Sequence, residues 1–198
     1  MTTRIDLGCL SLDPRLLEKL ELYVQLLLTW NKKIRLTGFS SPDDVRRHLI
    51  LESILAFLAL QDRLPPEFID FGSGNGTPGL LIGLMAPEKH IVLLERIAKK
   101  RIFLEYAATR LGLSHIHVLP ALDHPVKAPF ILMKAITLDD LLSDPAIRAQ
   151  ATPPFTLIRF GTETHPACIP LSSYAITGGV ESWGEMTSLS LTESIFQG

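Results

Sequence analysis

The chain has 198 residues, 46% of them hydrophobic and 20% charged, which suits one α/β domain with a modest extension and excludes a disordered chain. The formal net charge of −2 argues against a broadly basic nucleic-acid binder. The charge is unevenly spread, however: all 19 Lys and Arg lie at or before Arg159 with 17 of the 21 acids, and only Glu163, Glu181, Glu185 and Glu193 follow. A mildly basic body and an acidic tail permit a local RNA-binding face without requiring one.

Cys9 and Cys168 are too far apart for a zinc knuckle and make no disulfide framework, so a reducing cytoplasm is the expected setting. Arg4 and Asp6 leave no apolar run for a secretory leader. The longest apolar runs are interrupted by Glu52 or by Pro87 and Glu88, so no membrane span is expected.

In chain order, residues 14–30 carry Leu16, Leu17, Leu20, Tyr23, Val24 and Leu27 at helical spacing, with Pro14 at the tolerated start. A second helix is predicted from Ser41 as N-cap, through Pro42, Asp43 and Asp44, to about Leu60, where Leu64-Pro65-Pro66 stops it. From Phe68 the texture changes. FIDFG, HIVLLE, HIHVL, FILMK and FTLIRF read as strands, and TPGLLIGLMA, IAKKRIFLEYAATRLG and TLDDLL as helices between them. SYAITG and MTSLSL are expected as two last strands around Gly178-Gly179. The alternation predicts an α/β, doubly wound, mostly parallel sheet of the Rossmann-like kind, residues 66–198, carrying an N-terminal helical cap, residues 1–65.

The most informative segment, Asp70-Phe71-Gly72-Ser73-Gly74-Asn75-Gly76-Thr77-Pro78-Gly79, sits where the first of these strands hands over to a helix, at the mouth of the ligand crevice. Two cofactors compete for it. Gly74, Gly76 and Gly79 satisfy the dinucleotide pattern G-x-G-x-x-G, and with Asp70 they also satisfy D-x-G-x-G-x-x-x-G, the methyltransferase version. Three points favour S-adenosylmethionine. Asp70 can organise the loop and face a cationic amino-acid moiety. Pro78, expected in the first helical turn, removes an N–H that a pyrophosphate would use. The turn is also one glycine longer. Glu95, with Arg96 beside it, closes the next strand 19 residues beyond Gly76 and can accept from ribose hydroxyls of either cofactor. Asp123, after Leu122, is placed to face an adenine amino group or is simply a solvated loop acid.

In order and spacing these pieces resemble the bacterial small-subunit ribosomal RNA guanine-N7 methyltransferase family, also called glucose-inhibited division protein B. The resemblance runs from about Tyr23 to Gly161. Trp30-Asn31-Lys32 with Leu36-Thr37 is similar to its W-N-K…N-L-T segment, and Arg47-His48-Leu49-Ile50-Leu51-Glu52-Ser53 to its R-H-x-x-D-S segment. Gly72, Gly74, Gly76, Pro78 and Gly79 match its cofactor loop, and Leu93-Leu94-Glu95 with the run Lys99 to Leu104 its second strand and next helix. The resemblance implies S-adenosylmethionine as cofactor and 16S rRNA or the small subunit as partner, with methylation at N7 of guanine 527 in the 530 loop. Four positions depart from the pattern: Arg35, Ala121, Met133-Lys134-Ala135 and Ile158-Arg159-Phe160-Gly161 stand where the family has other residues on its RNA-facing side.

Guanine N7 has a free lone pair and needs no general base, so the residues required are positioning groups. Lys134 and Arg159 at strand ends, Arg47 and His48 on the cap helix, and an amide from Asn31 are the candidates. Each has a plain alternative: His48 as a packed histidine, Asn31 as a helix-terminal turn residue. No metal-ligand spacing is present, so no metal is expected. A monomer is expected. A small-molecule or protein methyltransferase of the same fold, or a non-catalytic adenosine-ligand or RNA-binding module, remain open beside the leading reading.

Overall fold

The computed structural model describes residues 2–127, 129–161 and 168–197. The chain opens with β1 (Thr2–Leu10) and α1 (Pro14–Asn31). α2 (Pro42–Val45), a π-helical segment (Arg46–Leu51) and α3 (Glu52–Leu60) then follow without a break. β2 (Glu67–Phe71), α4 (Gly79–Met85), β3 (His90–Leu94), α5 (Ala98–Leu111) and β4 (Ile116–Leu119) alternate. After them come β5 (Val126–Lys127), β6 (Phe130–Met133), α6 (Leu138–Ser143), α7 (Pro145–Gln150), β7 (Ala151–Thr152), β8 (Phe155–Phe160), β9 (Cys168–Val180) and β10 (Glu185–Phe196).

The local chemistry sets the helix ends. Asp13 Oδ1 accepts the N–H groups of Arg15 and Leu16 at 2.8 and 3.3 Å, and Ser41 Oγ accepts that of Asp44 at 3.0 Å. α5 stops at Gly112, whose φ of +74° supplies the left-handed cap.

The main sheet runs β1-β9-β10-β8-β6-β2-β3-β4, and β10 alone is antiparallel to its neighbours. β2 lies between β6 and β3, so the winding reverses there and a crevice opens at the carboxyl ends of these strands. Both faces are covered. Phe68, Ile91, Leu93, Leu132 and Ile158 join the helices α1, α3, α4 and α5 on one side. Ile69, Val92, Leu94, Ile131, Met133 and Leu157 join α6 and α7 on the other. Burial on both faces explains why these strands read as unbroken apolar runs rather than alternating ones.

Three details differ from the sequence reading. Residues 2–10 are not helical but form β1, which pairs in parallel with β9 from Thr2↔Ser173 to Leu10↔Val180. The last hairpin does not turn at Gly178-Gly179. β9 runs through both, and the turn is Glu181–Trp183 with Gly184. A Cβ on Gly178 would stand 2.7 Å from Leu55 Cδ2, so this glycine serves the close approach of α3 to the sheet. Pro78, finally, is the N-cap of α4 rather than part of its first turn.

Candidate functional site

Asp70, in β2 and 1% exposed, accepts the Gly79 N–H on Oδ2 at 3.0 Å and so ties the strand to the start of α4 across the glycine loop. Burial pushes its carboxyl up to about 7, against the opposing pull of the Gly79 and Ser73 hydrogen bonds and the Lys134 charge. Of the two roles expected for it, Asp70 fills the first. It organises the loop, and it is not among the residues lining either cleft described below.

The loop is held from three sides. Gly72 and Ser73 donate their N–H groups to Leu94 O at 2.9 and 3.0 Å, and Ser73 Oγ donates to Asp70 O at 2.8 Å. Gly76 N–H closes the turn on Ser73 O at 2.6 Å. From α1, the wholly buried Tyr23 donates its hydroxyl to Asn75 O at 2.9 Å, and burial raises its pKa, so it remains a donor. Glu95, 6% exposed, accepts Gly74 N–H on Oε2 at 2.9 Å and Ile97 N–H on Oε1 at 2.8 Å. One carboxylate thereby fixes both loops that border the crevice, through charge-assisted bonds.

Two clefts meet over Gly72. The first, about 200 Å³, is lined by Gly72, Leu94, Glu95, Arg96, Ile97, Pro120, Ala121 and Ile136, with the acids Asp140 and Asp144 at its wall. The second, about 430 Å³, is lined by Gly72, Ser73, Gly74, Asn75 and Thr77 on one side and by Leu36, Phe39, His48, Glu52, Lys134 and Ala135 on the other. Lys100 and Ile136 border both. Gly72 has φ +72°, and a Cβ there would lie 2.7 Å from Ile136 Cγ1. Only glycine fits both this backbone conformation and the close approach of Ile136, which borders both clefts.

The predicted positioning residues separate into three groups. Lys134 and His48 reach the second cleft. Lys134 Nζ donates to Glu52 Oε2 at 2.7 Å and to His48 O at 3.1 Å and lies 5.4 Å from the Phe160 ring centroid. His48 stacks on Phe39, with centroids 5.0 Å apart and planes 14° from parallel, and its Nδ1 is 4.0 Å from Glu52 Oε1. Arg159 lines an adjoining cavity with Met133, Ala135, Ile136, Thr137, Phe160 and Gly161. Its Nε is buried and makes no hydrogen bond among the described residues.

The remaining candidates lie outside the two clefts. The Asn31 amide is engaged within the chain. Nδ2 donates to Thr37 O and Phe39 O at 3.1 and 3.2 Å, while Oδ1 accepts the N–H groups of Leu36 and Thr37 at 2.8 and 3.0 Å. It is a scaffold that places Leu36 and Phe39 at the cleft. Arg47 is exposed on the π-helical segment and lines neither cleft. Leu122 is core, and Asp123 bonds His124 Nδ1 at 2.7 Å, which holds its carboxyl below the usual range. Neither lines the first cleft.

Sequence reasoning passed over Phe39, Glu52, Ile136, Asp140 and Asp144. Glu52 was within reach, since it stands one helical turn after His48 in the segment similar to the family's R-H-x-x-D-S, with one more residue between histidine and acid than that pattern has. Asp140 and Asp144 are spoken for as caps of α6 and α7, a signal that points to local structure rather than to a ligand. Ile136 and Phe39 carry no signal of chemistry at all.

A sequence model of the family described as rRNA small subunit methyltransferase G (GidB) matches residues 16–134. A relative of that name in Moorella thermoacetica is 38% identical over 112 residues, 56% of this chain and 46% of the relative. Another, in Wolinella succinogenes, is 34% identical over 145 residues, 71% of this chain and 67% of the relative. The chain thus spans about half to two thirds of the length of these curated relatives. Among solved structures, an O-methyltransferase from Bacillus cereus in complex with SAH superposes with TM-score 0.53 at 12% identity, covering 88% of this chain and 90% of the other. An S-adenosylmethionine-dependent methyltransferase from Aquifex aeolicus gives 0.51 at 14%, covering 85% and 98%. The fold is that of class I methyltransferases, as the strand order and the crevice led us to expect.

Proposed function

We infer the activity from the premise that this chain belongs to the rRNA small subunit methyltransferase G family, whose sequence model covers 16–134. The chain binds S-adenosylmethionine across Gly72 and methylates N7 of a guanine in small-subunit ribosomal RNA, guanine 527 of the 530 loop being the expected position. The observation that carries this reading is the pair of neighbouring clefts that share Gly72, Lys100 and Ile136 in their lining, with Glu95 clasping the loop. The first cleft alone is small for such a cofactor, which suits a ligand that passes over Gly72 into the second.

When bound, the cofactor supplies an electrophilic methyl group on a sulfonium. The rest is positioning. Glu95 is placed to accept ribose hydroxyls with the lone pairs its two backbone bonds leave free. Leu94, Ile97, Pro120 and Ala121 give the first cleft apolar walls for an adenine. With Asp123 turned away, Asp140 or Asp144 is the acid for the adenine amino group. The stacked Phe39–His48 pair offers an aromatic surface at the second cleft on which a purine can lie. Arg159, with its unpartnered Nε, suits a guanine O6 or a phosphate. Alignment of nitrogen, methyl and sulfur, with water excluded, is all that the attack of N7 requires.

The test is transfer of a labelled methyl group to small subunits lacking the mark. Label should reach the RNA, and Gly74→Arg and Glu95→Ala should abolish it. Good cofactor binding without transfer would sink the RNA reading. A methyltransferase acting on a small molecule or protein is the second reading. One observation favours it: Lys134, at a position on the family's RNA-facing side, is neutralised by Glu52. Activity indifferent to RNA would support it. Among the described residues no helix is long and apolar enough to cross a membrane. A cytoplasmic monomer is the state we propose.

A further inference from the structure

α5 carries its buried residues, Phe103, Leu104, Ala107, Ala108 and Leu111, on one face, as a helix on a sheet should. Its outer face is neither plainly polar nor plainly apolar. Ile102 is 54% exposed and Tyr106 39%. Lys99, exposed, precedes Ile102 by one turn, and Arg110 follows Tyr106 by one turn with its guanidinium carbon 5.8 Å from the ring centroid. Trp30, from the end of α1, packs beside them, its ring 5.4 Å from that of Tyr106. The charge is one-sided: between Arg96 and Arg110 there are five Lys and Arg against one acid, Glu105, and that acid borders a separate cavity on the β4 side with Gly112, Leu113 and Val118. The strip is continuous with the site, because Lys100 borders both clefts and the loop after Trp30 delivers Leu36 and Phe39 to the second. Core packing accounts for Trp30, which is half-buried against Phe103, and Arg110 donates to the Tyr106 hydroxyl at 2.9 Å, but Ile102 and the Tyr106 ring are left exposed.

We propose that the Trp30–Tyr106 face of α5 is a second RNA contact, a stacking platform flanked by cations that holds an unpaired nucleotide of the substrate RNA outside the catalytic cleft. It rests on the RNA reading above and adds where the RNA runs. Exposed aromatic rings take a base on their faces whatever its identity, and the neighbouring cations follow the phosphates. An RNA strand leaving the second cleft past Lys100 meets Lys99 and then Tyr106. A protein partner would fit a patch with balanced charge, whereas this one is predominantly basic.

The experiment measures binding of protein-free small-subunit rRNA to the full chain over a salt series, for wild type, Tyr106→Ala, Tyr106→Phe and Lys99→Gln. Cofactor binding is followed in parallel as the control for folding. Tyr106→Ala should weaken RNA binding roughly tenfold while Tyr106→Phe binds as wild type does. Lys99→Gln should reduce the slope of log affinity against log salt by about 1. Cofactor affinity should not change. Wild-type RNA binding that is untouched in all three variants overturns the platform and leaves the methyltransferase reading standing. Failure of the wild type to bind either protein-free rRNA or small subunits overturns both. A loss seen only with assembled subunits, and not with bare RNA, overturns the RNA assignment in favour of a ribosomal protein.

Discussion

Asp70→Asn is the perturbation with the most informative sign. Burial raises the Asp70 carboxyl to about 7, whereas an unfolded aspartate titrates near 3.8. Between those two values the folded chain holds a proton that the unfolded chain has released, so folding is favoured by acid. The contribution is fully present below the lower value and is lost as pH rises to the upper one. A separation of about 3 pH units corresponds to about 4 kcal/mol, lost at about 1.4 kcal/mol per unit. Asparagine keeps an oxygen for the Gly79 N–H, 3.0 Å away in the wild type, and never ionises. The variant should therefore match the wild type near pH 4 and become progressively the more stable of the two up to pH 7 to 8. Urea unfolding of both proteins across pH 4.5–8.5 isolates Asp70, since every other group cancels in the difference. A difference that stays flat with pH, or a variant less stable than wild type at pH 8, would show that Asp70 is ionised throughout and the reasoning wrong.

Other outcomes follow from the same geometry. Gly72→Ala should cost about 1–2 kcal/mol from its positive φ and about 1–3 more from the contact with Ile136. In an Ile136→Ala background only the first cost should remain, which a double-mutant cycle on unfolding midpoints would read. Asn31→Ala removes four hydrogen bonds to the 36–39 loop and should destabilise by about 2–4 kcal/mol, with weaker substrate binding as Phe39 leaves the cleft, both measurable on one preparation. Glu95→Ala releases the N–H groups of Gly74 and Ile97 and should weaken cofactor binding roughly 10- to 100-fold by calorimetry. Lys134→Met takes the ammonium from Glu52 and leaves it only the more distant His48. A double variant with Glu52→Gln should recover most of the lost stability, and transfer should stay impaired if the ammonium orients the RNA.

What the sequence disclosed depended on how local the cause was. The glycine loop was legible because strand end, turn and helix start are consecutive and each glycine answers a backbone demand, as Gly72 does. The clasp of Glu95 could be expected only in part: its place at the end of β3 follows from spacing, but its bonds to Gly74 and Ile97 depend on how two loops lie in space. β1 was missed because TTRIDLGCL begins polar and is interrupted by Gly8, and β9, the strand it pairs with among the described residues, is distant in sequence, with Thr2 opposite Ser173. For Asn31 two readings were open, because an amide that can face a base can equally be used up on four backbone groups, and the fold of residues 32–39 favours the second. Asp123 was open in the same way: the acid after the third strand bonds His124, while Asp140 and Asp144, from a distant stretch, line the first cleft with Pro120 and Ala121.

The most direct measurement is to map the methyl group. Small subunits lacking the guanine-N7 mark are incubated with the chain and labelled S-adenosylmethionine, and the RNA is cleaved at methylated guanine. The account predicts label at one guanine in the 530 loop, abolished by Glu95→Ala. Label at another position or on another kind of acceptor, or none while the cofactor still binds, would contradict it.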